Sequence, residues 1–111
     1  MRQLAERRKY PRIPTHQMIS FSLLDERDRL AVSRNLSVGG IRFEAVGCEI
    51  DLGTTLRVSF NVEGQTLVAV GRVSWATELD PLTLDVGLEF LEIEPEALRV
   101  LEESSELLTP A

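Results

Sequence analysis

The stretch TLRVSFNVEGQTLVAVGRVSWA, residues 55–76, alternates apolar and polar side chains on either side of the Glu-Gly pair at 63–64. Alternation with a period of two is typical of β-strands that bury one face, and a glycine at the second central position suits a type I′ turn. The stretch therefore predicts a hairpin of two antiparallel strands, 55–62 and 65–76. Gly71, in the middle of the second strand, indicates a bulge or a close approach of two backbones.

The same alternation extends outward from this hairpin along most of the chain. We predict four further strands, at residues 18–24, 29–36, 40–45 and 83–93. Short strands joined by polar turns predict a mainly β domain, a small antiparallel barrel of about six strands. Trp75 and Phe90 fall on the inward phases of their strands, so we expect them in the core rather than against a ligand.

The last part of the chain, residues 94–108, follows helical rather than β periodicity. Pro95 suits the first helical position, and the acidic residues on either side of it favour the N-terminal end of the helix dipole. The predicted apolar stripe consists of Leu98, Leu101 and Leu108, with Ala97 and Leu107 beside them. We expect this C-terminal helix to plug or cap the barrel.

The first sixteen residues show neither β nor helical periodicity, and they contain Pro11 and Pro14. Proline fixes its own φ and pushes the preceding residue toward extended geometry, so we expect an irregular arm here rather than a helix. The prediction is a single domain, with an arm over residues 1–16 and a barrel with its helix over residues 17–111.

Charge is unevenly placed along the chain. The net charge is −6, but residues 1–16 hold five basic residues and one acidic residue, a balance of +4, so the rest of the chain carries −10. An acidic body repels long polyanions, so we expect no nucleic acid polymer as a partner. A basic arm suggests a small, specific anion instead, and a solvated tail that aids solubility is the open alternative.

Several classes of protein are disfavoured by composition. No apolar run is long enough to span a bilayer and the N-terminus lacks the apolar part of a secretory signal, so we expect no membrane insertion. Cys48 is the only cysteine and His16 the only histidine, which predicts neither an intramolecular disulfide nor a metal site. No nucleophile elbow or phosphate-binding loop is present. We therefore expect a cytoplasmic protein that is not an enzyme and has no cofactor.

Two polar stretches remain as candidate binding motifs, and the first is RRKYPR at residues 7–12. Arg8 and Arg12 are four apart, so on an extended chain they face the same side at roughly 13 Å, and a bend near Pro11 brings them closer. Each guanidinium is a planar fork that matches a phosphate or the O6/N7 edge of guanine. Two such forks on one arm are suited to a compact dianion.

The second motif is NLSVGG, residues 35–40. Asn35 and Ser37 leave the same face of a strand and offer an amide and a hydroxyl. Gly39 and Gly40 permit positive φ and let a flat ligand approach the backbone. A plain strand-ending turn is the alternative interpretation, because these residue types are common turn formers.

Together the two motifs resemble the PilZ family, in which an RxxxR arm precedes [D/N]xSxxG on a β-domain. The first motif is Arg8 to Arg12 and the second is Asn35 to Gly40, with Asn where many members have Asp. GRVSW at 71–75 and GLEF at 87–90 also resemble the family, so the resemblance covers nearly the whole chain.

The resemblance implies a six-stranded antiparallel β-barrel with a C-terminal helix, and binding of the bacterial second messenger cyclic di-GMP. It implies that Arg8 and Arg12 hold guanine and phosphate groups, that Asn35 and Ser37 contact a guanine, and that Gly40 leaves room for it. An extra arginine before RxxxR goes with a stacked pair of ligands in the family, and Arg7 occupies that place.

The favoured hypothesis is thus a receptor and adaptor that relays the signal to a separate effector protein, not identifiable from the sequence, when ligand orders the arm. A PilZ-like interaction module that binds no nucleotide is the alternative. A third reading, a barrel that binds single-stranded nucleic acid, is disfavoured by the net charge of −6 and by an aromatic content of 5%.

Overall fold

Seven β-strands and one helix make up the part of the chain that the computed structural model describes, residues 13–15, 17–23 and 26–108. The elements are β1 (Ile13–Pro14), β2 (Met18–Leu23), β3 (Arg29–Ser37), β4 (Gly40–Val46), β5 (Thr55–Val62), β6 (Gln65–Asp80), β7 (Thr83–Ile93) and α1 (Pro95–Leu108). The six predicted strands are confirmed, although β6 runs on from its predicted end at residue 76 to Asp80. No helix in this described part is long and apolar enough to cross a bilayer.

Strands β2 to β7 close into an antiparallel barrel. Neighbouring strands are hydrogen-bonded in the order β3-β2-β5-β6-β7-β4, and β4 pairs back onto β3. Closure removes the strand edges that an open sheet would expose. The predicted six-stranded antiparallel barrel with a C-terminal helix is confirmed.

The inward-facing residues of the alternating strands fill the barrel. Phe43, Phe60 and Leu56 are almost completely buried, and Phe21 stacks on Phe43 with ring centroids 5.2 Å apart. Phe90 is half-buried and stacks on Phe60 at 5.9 Å, so its predicted core position is confirmed.

Helix α1 packs against β1 and β5 and so covers one end of the barrel. Its buried stripe consists of Ala97, Val100, Leu101 and Ser104, at spacings of three and four residues. Ala97 and Leu101 are buried as predicted, whereas Leu98 is only half-buried; the side chains of Leu107 and Leu108 lie outside the described ones. Ser104 Oγ donates a hydrogen bond of 2.8 Å to the Glu63 carboxylate, which ties the helix to the β5–β6 turn.

The β5–β6 hairpin has the predicted turn. Glu63 and Gly64 have φ of 51° and 82°, and a type I′ turn requires positive φ at both central residues. The strand register shifts between Val70 and Gly71, and a Cβ on Gly71 would lie 2.6 Å from the Glu89 carbonyl oxygen. The predicted bulge and close backbone approach therefore both occur.

The predicted irregular arm contains one short strand. Ile13 and Pro14 of β1 pair with Leu36 and Asn35 of β3. Proline is tolerated because β1 is an edge strand, and one side of an edge strand forms no backbone hydrogen bonds with a neighbouring strand. Residues 1–12 and 16 lie outside the described part, so the rest of the arm and its boundary at residue 16 stay predictions.

Candidate functional site

The NLSVGG motif forms the turn that joins the end of β3 to the start of β4. Ser37 Oγ accepts a hydrogen bond of 3.2 Å from the Gly39 backbone N–H, and the Gly39 carbonyl oxygen accepts one of 2.9 Å from Phe90 N–H. The turn is thereby fixed to its own first strand and to β7. Ser37 uses only its oxygen in this contact, so its hydroxyl hydrogen can still donate to a ligand.

Gly40 has a structural role that sequence analysis did not predict. A Cβ at this position would overlap the backbone carbonyl oxygen of Leu88 on β7, which lies beside β4. The positive φ values among the described glycines occur at Gly47, Gly53 and Gly64, outside NLSVGG. Close packing of two backbones, rather than a left-handed conformation, thus requires glycine at this position.

Strand β1 brings the arm to this turn. Ile13 lies opposite Leu36, and Thr15 N–H donates a hydrogen bond of 3.1 Å to the Arg34 carbonyl oxygen, so the chain runs antiparallel to β3. Ile13 is therefore the residue of β1 nearer to the Ser37 end of β3. The predicted ligand-binding residues Arg7, Arg8 and Arg12 lie outside the described residues, and their contacts with the turn stay a prediction.

A row of residues crosses the outer face of the barrel beside the motif. Asn35 pairs with Arg42, Arg42 pairs with Gly87, and Gly87 pairs with Trp75, which links four neighbouring strands. Directly paired residues share a face of the sheet, so the side chains of this outer row project together. A register shift between Ser33 and Asn35 turns the motif asparagine to this face.

The predicted core position of Trp75 is wrong. The register of β6 shifts between Val73 and Trp75, which inserts Ser74 as an extra residue and reverses the phase of the strand. The half-buried indole lies across Gly87, where any Cβ would overlap its ring. It also lies 5.9 Å from Arg42 Cζ, within the range of a cation–π contact.

A carboxylate on β7 fixes the position of Arg42. Its Nε and Nη2 donate to Asp85 Oδ1 and Oδ2 at 2.9 and 2.7 Å, and Asp85 is only 5% exposed. The hydrogen bonds to Asp85 raise the pKa of Arg42, and burial opposes this rise in part. Arg42 is therefore a fixed cation one strand away from Asn35.

Sequence analysis missed Arg42 and Trp75 as neighbours of the motif. Arg42 lies on the outward phase of its strand, but its cross-strand partners depend on register, which the residues alone do not reveal. Trp75 lies two residues after the buried Val73, which predicts the same inward face, but the bulge at Ser74 turns Trp75 outward. The resemblance of GRVSW and GLEF to the family was the available signal, and these two stretches meet through the pairing of Trp75 with Gly87.

Within the described residues, no group of three or more His, Cys, Asp or Glu side chains is arranged to hold a metal ion. The site consists of amide, hydroxyl, guanidinium and indole groups, together with the backbone of a tight turn. Such groups suit the recognition of a planar, hydrogen-bonding anion rather than a reaction that needs a nucleophile.

Solved structures with the same fold were found at low sequence identity. The Bacillus subtilis inhibitor of motility MotI/DgrA is 17% identical with a TM-score of 0.75, and the match covers 90% of this chain but 50% of that one. The PilZ domain of Escherichia coli YcgR with c-di-GMP is 18% identical with a TM-score of 0.69, and the match covers 92% of this chain and 91% of that one. Borreliella burgdorferi PlzA in complex with c-di-GMP is 13% identical with a TM-score of 0.61, and the match covers 91% of this chain and 44% of that one.

A comparison with curated proteins gave no match. Among the solved structures, the chain spans about half the length of MotI/DgrA and nearly all of the YcgR domain. The PilZ domain family matches residues 6–106, which contain both motifs, all the strands and most of α1. This chain belongs to the PilZ domain family.

Proposed function

We propose that this chain is a receptor for cyclic di-GMP and that the nucleotide binds where the arm meets the NLSVGG turn. The pairing of β1 with β3 is the observation that carries the proposal. It puts Ile13, which follows Arg12 in the sequence, opposite Leu36, next to the motif residue Ser37 in β3. Membership of the PilZ family, and the c-di-GMP in the YcgR and PlzA structures, support this choice of ligand.

In this proposal each motif supplies a different chemistry. Arg8 and Arg12 hold the phosphates and a guanine edge through their guanidinium forks. Asn35 and Ser37 bind a guanine by hydrogen bonds, and the Gly39–Gly40 backbone allows its close approach. Arg7 adds a cation for a second nucleotide, stacked on the first.

The outer row extends this surface along the barrel. Arg42 is held by Asp85 beside Asn35, and Trp75 lies beyond it across Gly87. A nucleotide held at Asn35 would therefore lie one strand from the fixed cation of Arg42 and three strands from the indole of Trp75. The row gives the receptor a rigid side against which the arm closes.

The signal passes to a separate effector protein. Arg7, Arg8, Lys9 and Arg12 are crowded cations that repel each other when no ligand is bound. Two phosphates neutralise them and draw the arm onto the barrel, which creates a new surface for a partner. The role is binding rather than catalysis, and its expected location is the cytoplasm.

Calorimetric titration of cyclic di-GMP tests the receptor function. Hydrogen bonds to charged groups are worth about 1.5–3 kcal/mol each, so Arg8→Ala and Arg12→Ala should each weaken binding about tenfold to a hundredfold. Arg57→Ala is the matched control, because Arg57 is an exposed arginine on β5, away from the β3–β4 turn. The stoichiometry distinguishes one nucleotide from a stacked pair.

No binding to the unmodified protein would contradict the receptor proposal and favour the alternative, an interaction module that binds no nucleotide. Equal loss of affinity in Arg57→Ala and Arg8→Ala would show that net charge, rather than the two motifs, determines binding.

A further inference from the structure

The barrel end opposite the NLSVGG turn is unusually apolar. Among the described residues, this far end carries residues 26–28, the loop 47–54 and the β6–β7 turn. Six of the nine exposed large hydrophobic residues among the described ones lie there: Leu23, Leu30, Val46, Leu52, Leu79 and Leu82. Leu52 and Leu82 are 70% and 67% exposed. Apolar side chains gathered in this way on a small domain mark an interaction surface.

A groove of about 660 Å³ lies between the loop and the turn at this far end. Its lining contains four carboxylates, Glu49, Asp51, Glu78 and Asp80, against the single guanidinium of Arg29. None of the four carboxylates is in an ion pair with another described residue. A second groove of about 210 Å³ lies on the other side of residues 48–51.

The two ends of the barrel are covered differently. Helix α1 packs against β1 and β5 and is tied by Ser104 to Glu63, at the same end as the arm and the NLSVGG turn. Among the described elements, the far end is covered only by its own loops. Apolar groups are thus exposed on the side that neither the helix nor the nucleotide site occupies.

We propose that the far end is the docking surface for the effector protein, and that the docking segment presents apolar side chains flanked by lysine or arginine. The charges of the groove favour this partner, because each added cation faces four carboxylates and only one guanidinium in a concave site. The inference rests on the proposed relay function for its purpose, but docking itself does not require nucleotide.

A second copy of this chain fits the same surface less well. A two-fold contact would bring the same carboxylates of both copies together, and like charges facing each other are repulsive. A head-to-tail contact would need the basic arm, which leaves the barrel beside Ser37 at the opposite end. The expected occupant is therefore a different protein.

The probe is a fluorescent synthetic peptide of leucine and lysine, patterned as an amphipathic helix about 18 residues long. We expect it to bind the full chain, with Leu82→Asp and Glu49→Lys/Glu78→Lys each weakening binding by about tenfold or more. The matched controls are Leu91→Asp and Glu102→Lys, exposed positions outside the far end, which should leave binding unchanged. A leucine–glutamate peptide should bind only the charge-reversed variant.

Peptide binding that is absent, or equal in Leu82→Asp and in the unmodified chain, would overturn the proposal. Sedimentation of the full chain gives the other decisive result, because a dimer that Leu82→Asp dissociates would make a second copy the occupant. Arg8→Ala separates this inference from the receptor function: it should lose cyclic di-GMP and keep the peptide. If the unmodified chain bound the peptide but no nucleotide, the docking surface would stand and the receptor proposal would fail.

Discussion

At the scale of single residues, Gly40 shows how a residue of a candidate binding motif serves the packing of the barrel. Gly40→Ala adds a Cβ that overlaps the Leu88 carbonyl oxygen, and β4 and β7 must separate to admit it. Overpacking of this kind costs about 1–3 kcal/mol, so we expect a lower midpoint of denaturant unfolding without any nucleotide.

Ser37→Ala is the comparison for Gly40→Ala, since it removes one hydrogen bond to Gly39 N–H and adds no bulk. We expect it to cost about 0.5–1.5 kcal/mol, less than Gly40→Ala. If Gly40→Ala unfolded at the same denaturant concentration as the unmodified chain and lost only nucleotide binding, the glycine would serve the ligand alone.

Asp80 gives a prediction for pH. Its side chain accepts a hydrogen bond of 2.9 Å from Leu82 N–H, and this bond, with contacts to Thr83, lowers the pKa of Asp80 below its ordinary 3.8. A lowered folded-state pKa means that its contribution to stability is present above the ordinary pKa and is lost as pH falls through the folded value. We expect thermal unfolding of Asp80→Asn to depend less on pH below about 4 than that of the unmodified chain.

Glu78→Gln controls for the general effect of removing an acidic residue from the same end of β6. It should follow the pH dependence of the unmodified chain. Parallel unfolding curves of Asp80→Asn and the unmodified chain from neutral to acid pH would show that the turn does not depend on the charged carboxylate.

At the scale of elements, the outer row joins four strands, and its tryptophan is a built-in probe. Trp75 is the only tryptophan of the chain and lies three strands from Asn35, at the other end of the outer row. We expect saturating cyclic di-GMP to change its fluorescence and Arg8→Ala to abolish that change. Gly87→Ala is the positive control, because the added Cβ must displace the indole without ligand. Calorimetric binding with unchanged Trp75 emission would place the nucleotide away from the outer row.

The same elements show how much of the fold could be predicted. Alternation located the strands because each buries one face, and the Glu63-Gly64 pair located the hairpin turn. Strand β1 was missed because two residues, one of them proline, carry no period. The phase of Trp75 was wrong because the bulge at Ser74 depends on the pairing of β6 with β7, a non-local property.

The candidate site was predictable to a similar degree. RxxxR and NLSVGG could be found because their residue types are chemically distinctive and closely spaced in the sequence. Arg42 could not be found in this way, because only the register of β3 with β4 puts it beside Asn35. Its fixed position comes from Asp85, which lies 43 residues further along the chain. The role of Gly40 in packing depends on Leu88, which is also far from it in sequence.

At the scale of the whole molecule, the NLSVGG turn and most of the exposed apolar side chains lie at opposite ends of the barrel. Among the described residues, helix α1 packs at the end of the turn, and six of the nine exposed large hydrophobic residues lie at the far end, beside the acidic groove. A receptor arranged in this way can hold its ligand and its partner at the same time. Coupling between the two ends then has to pass through the closed sheet or through the arm.

Movement of the arm can be measured with trypsin, because Arg7, Arg8, Lys9 and Arg12 are potential cleavage sites within six residues. If two phosphates neutralise these cations and hold the arm against β3, saturating cyclic di-GMP should slow cleavage in the arm by about tenfold or more, as expected when binding reduces the population of the open form. Cleavage at Arg99 of helix α1 is the internal control and should change little. Equal cleavage rates in the arm with and without nucleotide, at concentrations where calorimetry shows saturation, would leave the receptor function intact. They would require the signal to travel through the barrel itself.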